Sequence, residues 1–402
     1  MGQGGRADNS CLQGSIMPSI CLYFQIHQPL RLNRFTVFTQ NAPYFDDEKN
    51  RMYFQRVSRK CYLPTNKTLL DLINEHGKKF RIAFSLTGVF VEQCKKFAPE
   101  VLESFIELSK TGCVEFLSET YYHSLAALFS MEEFKNQIKL HKAMIKDTFN
   151  QNPEVFRNTE AMYSNGIAKI IEDMGYKGII TEGHENILGW RSANYLYRPK
   201  DCNKLVALLR NYKLSDDIGF RFSARWWEQY PLTADKYASW ISACEGNCIN
   251  LFIDYETFGE HQWEDTGIFQ FLKYLPQEIL KYKNLDFKTP SEVVKSYKPV
   301  GVIDVPYILS WADVQRDTSA WLENDMQKLA FEQMSKLENL VKKNPELQHV
   351  WRLLQTSDHF YYMCTKWFAD GDVHKYFNPY NSPYDAFINY MNILQDIKRR
   401  LK

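Results

Sequence analysis

Two carboxylates standing where apolar strands stop are the side chains best placed to do chemistry. Leu251, Phe252 and Ile253 form an apolar run that ends at Asp254, and Val155-Phe156-Arg157-Asn158-Thr159 ends at Glu160. Short aromatic and β-branched runs bounded by polar residues read as strands buried on both faces, the kind a parallel sheet contains. In parallel β/α folds the reacting groups gather beyond the carboxyl ends of the strands, which gives each acid a geometric reason to be catalytic. Two such acids suit glycoside hydrolysis, where one protonates the leaving oxygen and the other attacks the sugar carbon or activates water. Either acid alone reads equally well as a turn or helix-capping residue.

Four histidines, His27, His123, His184 and His261, also follow predicted strands. They suit either a metal site or hydrogen bonds to sugar hydroxyls. No His-x-His or His-x-x-x-His spacing occurs, so the expectation is no catalytic metal and no cofactor. Gly-x-Ser-x-Gly, P-loop and dinucleotide-binding glycine patterns are absent as well, which removes the commonest hydrolase, kinase and dehydrogenase readings.

Positioning these groups requires a repeated strand and helix pattern. Predicted strands cover Ser19 to Ile26, Arg81 to Leu86, Cys113 to Leu117, Val155 to Glu160, Tyr176 to Thr181, Ile218 to Phe222 and the run into Asp254. Helices are expected from Lys67 to His76, Val89 to Ser109, Ser130 to Phe149 and Ser164 to Met174, with 31–65 as a long connection. Ser130 and Glu133 have capping-box spacing, and Phe129 and Phe134 that of a hydrophobic staple. Seven strands separated by helices argue a parallel β/α barrel or a doubly wound sheet. From Ala320 onward apolar residues keep helical spacing, so residues 17–290 are expected to form the barrel and 291–402 a helical subdomain. Leu309 to Arg316 and Thr356 to Tyr362 are dense in stacking and polar groups, and we expect them to close one wall of the cleft.

A chain of 402 residues can bury a full core. Forty-nine Lys and Arg against 48 Asp and Glu leave a formal charge of +1, which favours an uncharged substrate over nucleic acid or membrane. Nine cysteines without framework spacing imply a reducing, cytoplasmic compartment. Residues 1–16 lack the apolar centre of a secretory signal and read as a tag or disordered extension before Met17.

These stretches together resemble glycoside hydrolase family 57. The likeness rests on His27-Gln28-Pro29, Gly112-Cys-Val-Glu-Phe-Leu with Tyr122-His123, Phe156-Arg-Asn-Thr-Glu160 and Asp254-Tyr-Glu-Thr-Phe-Gly-Glu-His261. Ser310-Trp-Ala-Asp-Val-Gln-Arg-Asp-Thr-Ser-Ala-Trp321 and Thr356-Ser-Asp-His-Phe-Tyr-Tyr resemble its α-amylase-like branch. The resemblance implies an incomplete seven-stranded β/α barrel beside a helical bundle, acting on α-1,4-glucans or malto-oligosaccharides with retention and without metal. Hydrolysis and 4-α-glucan transfer both remain open, and the competing readings are a metal-dependent carbohydrate deacetylase on a related barrel and a glucan-binding protein without turnover. Glu160 would be the nucleophile and Asp254 the general acid/base, their carboxyls roughly 5 to 6 Å apart. His27, His123, Glu256, His261, Trp263, Trp311, Asp313 and Asp358 would be substrate contacts, with Glu256 a charged partner that raises the pKa of Asp254. Oligomeric state is not legible.

Overall fold

Ten short strands and the helices between them are built in a computed structural model that describes residues 18–40, 42–366 and 378–401. The expected extension at 1–16 and Met17 lie outside the described residues. The strands are β1 (Ser19–Ile26), β2 (Ile82–Leu86), β3 (Val114–Phe116), β4 (Val155–Arg157), β5 (Gly178–Glu182), β6 (Tyr197–Pro199), β7 (Val206–Arg210), β8 (Cys248–Asp254), β9 (Asp286–Phe287) and β10 (Gly301–Ile303). Strands β1, β2, β4, β5 and β7 are buried along their whole length, as strands covered on both faces must be.

Seven strands run parallel, β3 beside β2, β2 beside β1, β1 beside β8, β8 beside β7, β7 beside β5 and β5 beside β4. Between β3 and β4 there is only an isolated pairing of Ser118 with Phe156, and β7 meets β8 at one position, Arg210 opposite Asn250. The result is the incomplete seven-stranded β/α barrel. Strand β6 lies antiparallel to β7 and carries β10, so the sheet draws on chain beyond residue 290. Helices Asp325–Ser335, Pro345–Leu353 and Pro383–Arg400 contribute to a second core with Trp321, Trp351 and Tyr390. Leu32, Phe35 and Tyr44 from the long connection after β1 enter that core and join the bundle to the barrel.

Three elements differ from the sequence reading. The sixth barrel strand is Val206–Arg210, and Ile218 to Phe222 is instead the end of helix Tyr212–Gly219 with the turn after it. Ile218, Phe220 and Phe222 alternate as a strand would, yet Asn211 accepts from the Leu214 amide as an N-cap and starts a helix seven residues earlier. The 31–65 connection contains helix Asp47–Val57, which passes through a π-helical turn, Ser58–Tyr62, into Leu63–His76. Asp46 caps it by accepting from the Lys49 amide. The predicted helix from Val89 to Ser109 is divided at Ala98, because Pro99 cannot donate to the preceding turn.

The stretch after β8 returns sharply on itself at Gly259, whose φ is +104°. A Cβ there would collide with the Lys60 carbonyl of the π-helical turn. Gly259→Ala is therefore expected to cost at least about 2 kcal/mol of stability in denaturant unfolding, whereas Gly112→Ala, with open space around it, carries only the positive-φ cost.

Candidate active site

Because the barrel strands are parallel, their carboxyl ends lie on one face. There β1 runs into His27, β2 into Thr87, β3 into Glu119 and His123, and β4 into Glu160, while β8 ends on Asp254. A cleft at this face has two adjoining lobes. Lobe one is lined by residues including Gln25, His27, Gln28, Glu256, Asp358 and Tyr362. Lobe two is lined by residues including Arg210, Asp216, Phe220, Ala312, Arg316 and Tyr361. Glu160, Asp254, His261 and Trp311 line both.

Glu160 is fixed from several directions. It sits in a one-turn 3₁₀ segment with φ +53°, a conformation non-glycine residues seldom adopt and one that marks functional strain. His123 Nε2 lies 3.2 Å from Oε1, the Ser357 hydroxyl donates to the same oxygen at 2.8 Å, and the Trp311 indole N–H donates to Oε2 at 2.8 Å. The Ser310 hydroxyl and the Trp311 amide donate to its carbonyl. Burial raises the Glu160 carboxyl, but the His123 bond and charge, Trp311 and Arg157 outweigh it and hold it well below the usual carboxylate range.

His123 is itself held by Glu119, whose Oε2 is 3.4 Å from Nδ1. Glu119 is fully buried, accepts from the Ser85 hydroxyl at 2.9 Å, and has Arg157 Nη1 at 4.0 Å. Burial lowers the His123 pKa, yet the two carboxylates lift it to about 9, so the ring is an imidazolium at neutral pH. His27 stacks on it at 4.2 Å. Burial and that neighbouring ring push the His27 pKa down despite Asp358 at 3.2 Å. One ring of the stack is thus charged and the other neutral.

Trp311 ends a column of rings up the barrel, Tyr23 on Phe252 at 4.8 Å and Phe252 on Trp311 at 4.9 Å. The buried Arg157 guanidinium lies 5.0 Å from Phe252 and 4.9 Å from Trp311. The segments expected to close one wall supply Trp311, Ser357 and Asp358.

Glu256 differs in protonation from the sequence reading. It is 6% exposed, accepts from the Tyr62 hydroxyl at 2.6 Å, and is pushed up to about 8 by burial and then by Asp254. Burial comes first because the Glu256 side chain turns away from solvent. The Asp254–Glu256 pair therefore carries a proton at neutral pH. A carboxyl raised from 4.5 to about 8 withdraws stability as pH rises across that interval, because the folded state then holds the proton the unfolded state releases. Glu256→Gln is expected to flatten the fall in unfolding free energy between pH 5 and 8, read by denaturant titration at several pH values.

Trp263 and Asp313 line neither lobe. Trp263 is 55% exposed, with the Lys60 ammonium 5.5 Å over its ring, because the turn Glu264–Thr266 carries the chain outward there. Asp313 stands at a positive φ of 56° in the loop after Trp311. Ser357, within the segment expected to close the wall, is a partner of Glu160 beyond the individually expected contact Asp358. Glu119 stands four residues before His123 in the same polar run. Tyr62 carried no local signal. A further ion-pair group in lobe two joins Arg210 to Glu182 at 3.0 Å and to Asp216 at 2.5 Å, with Arg316 3.3 Å from Glu182.

Among the described residues no group of three or more His, Cys, Asp or Glu side chains is placed to hold a metal ion, and no helix is long and apolar enough to cross a membrane.

Residues 21–306 match the model of glycosyl hydrolase family 57. A protein of Methanocaldococcus jannaschii named "putative alpha-amylase" is 48% identical over 401 residues, spanning 95% of this chain and 85% of its own length. Among solved structures, a family 57 branching enzyme of Thermococcus kodakaraensis superposes with a TM-score of 0.70 at 14% identity, covering 96% of this chain and 90% of that one. A 4-α-glucanotransferase of Thermococcus litoralis gives 0.66 at 16% identity, covering 86% of this chain and 56% of that one. The last two likenesses concern the fold. With a family model over most of its length and a relative identical at nearly half its positions, the chain belongs to glycosyl hydrolase family 57.

Proposed function

We propose that this protein is an α-glucan-active glycosidase that cleaves α-1,4 bonds with retention, Glu160 attacking and Asp254 exchanging the proton. Family membership makes it a glycoside hydrolase or transglycosylase. The observation that carries the finer reading is the opposite electrostatics of two acids lining one cleft. Glu160 is kept ionised by His123, Trp311 and Arg157, as a nucleophile must be. The Asp254–Glu256 pair keeps a proton, as a general acid must.

In the first step the pair's proton passes through Asp254 to the glycosidic oxygen as the C1–O bond breaks, and a Glu160 oxygen bonds to C1. In the second step Asp254 takes a proton from water, or from a sugar hydroxyl, whose oxygen displaces Glu160 from C1. Two inversions at C1 restore the original anomer. Neutral His27, the unpartnered amide of Gln25 and the Tyr362 hydroxyl offer hydrogen bonds to sugar hydroxyls in lobe one.

Incubation with maltoheptaose followed by chromatography tests this reading. Shorter maltodextrins alone indicate hydrolysis, and longer products as well indicate transfer to the 4-hydroxyl of a second sugar. An unchanged substrate refutes the proposal. Turnover is expected to survive exhaustive chelation, and loss restored by a divalent cation would contradict the metal-free scheme.

A further inference from the structure

Where lobe two opens to solvent the surface becomes aromatic. Phe220 lines the lobe and is 58% exposed, while Trp226, six residues further along the same segment, and Trp263, next to Gln262, are 81% and 55% exposed. Gln262 Nε2 donates to the Gly219 carbonyl at 3.0 Å, so Phe220 and Trp263 are the next residues on either side of a single contact. The segment carrying Phe220 and Trp226 is anchored to the core. Phe222 is buried against Phe271 at 5.3 Å, Trp227 packs edge-on to Trp240 at 6.1 Å, and Arg221 Nε donates to Asp217 at 2.7 Å. Phe222 and Trp227 thus hold the backbone and leave Phe220 and Trp226 facing out. Single exposed rings are ordinary, but several on a held backbone at a cleft mouth make an interaction surface.

Charges beside these rings come in both signs, exposed Lys60 and Arg225 against exposed Glu264 and Asp265. The local field therefore selects neither an anionic nor a cationic ligand. The apolar C–H faces of uncharged sugar rings suit such a surface, and a glucan offers the same face at every unit. We infer that Phe220, Trp226 and Trp263 hold the stretch of a long α-glucan that continues outward from lobe two, beyond the units at Glu160 and Asp254. The inference rests on the α-glucan reading of the cleft and extends it to a preference for long chains.

The test compares kcat/KM on maltotriose and on soluble amylose for the wild type and for the Trp226→Ala/Trp263→Ala double variant. The double variant is expected to lose about tenfold on amylose, mainly through KM, and to stay within about twofold of wild type on maltotriose. Equal losses on both substrates, or none on amylose, would overturn the inference while leaving the catalytic reading in place. A wild-type protein that turns over neither substrate would sink the catalytic reading instead. The outer surface would still be decided by quenching of tryptophan fluorescence by amylose, expected in the wild type and lost in the double variant. Sedimentation showing a wild-type dimer that the double variant abolishes would mean that the rings hold a second copy of the chain, and would overturn the inference.

Discussion

Glu160→Gln is expected to lower turnover of a malto-oligosaccharide by roughly ten thousandfold while leaving its dissociation constant within a few-fold. Glutamine keeps the shape of the side chain, and with its oxygen toward the Trp311 indole N–H its amide can donate to the Ser357 hydroxyl, so the cleft should remain assembled. What it loses is the anion proposed to attack C1, and Glu119, the other carboxylate beside His123 and Arg157, does not line the cleft to replace it. Asp254→Asn should act on the opposite face of the reaction, removing the group proposed to deliver and recover the proton. Its cost should be greatest for poor leaving groups and small for an activated glycoside that departs without protonation. Initial rates with both substrate types, together with calorimetric binding, separate these outcomes. A Glu160→Gln protein retaining a tenth of wild-type turnover would be incompatible with covalent catalysis by that residue.

The second large effect concerns Glu119, which does not line the cleft. Its carboxylate holds His123 as an imidazolium, and the imidazolium in turn keeps Glu160 ionised. Glu119→Gln removes one of the two anions facing that ring, so the His123 pKa should fall from about 9 toward its ordinary value. Once neutral, His123 no longer offsets the burial of Glu160, whose pKa must rise. The acid limb of kcat/KM should therefore move to higher pH and the alkaline limb to lower pH. A loss of about 10- to 100-fold at the optimum is the scale seen when an outer hydrogen-bond partner of a functional histidine is removed. Linkage has the matching sign, since a histidine raised from 6.5 to about 9 stabilises the fold fully below 6.5 and loses that contribution as pH rises through 9. The other groups facing His123, namely His27, Asp358 and Arg157, are unchanged in the variant. A pH profile that keeps its width with only its height reduced would mean that Glu119 supports the fold rather than the charge on His123.

The residues legible in sequence were those that end an apolar run. His27, Glu160 and Asp254 stand there because a buried strand must stop before it can present a charge, and in a parallel barrel every strand stops at the same face. Strand β7 was missed because Val206-Ala-Leu-Leu-Arg210 has no alternation and no flanking glycine or proline. Ile218 to Phe222 was misread because it alternates by chance at a helix end. Tyr62 and Ser357 reach Glu256 and Glu160 across sequence separations of 194 and 197 residues, set by how a π-helical turn and the bundle lie on the barrel rather than by local pattern. The proton on Glu256 was not legible for a similar reason, because burial decides whether a carboxyl keeps its proton and burial is a property of the assembled fold.

Mass spectrometry of the protein quenched during turnover of a fluorinated maltosyl substrate that slows the second step tests the central claim most directly. A glycosyl mass on the peptide that contains Glu160, absent in Glu160→Gln, is the predicted result. Products forming at the wild-type rate with no adduct, or an adduct on any other residue, would contradict a double displacement through Glu160.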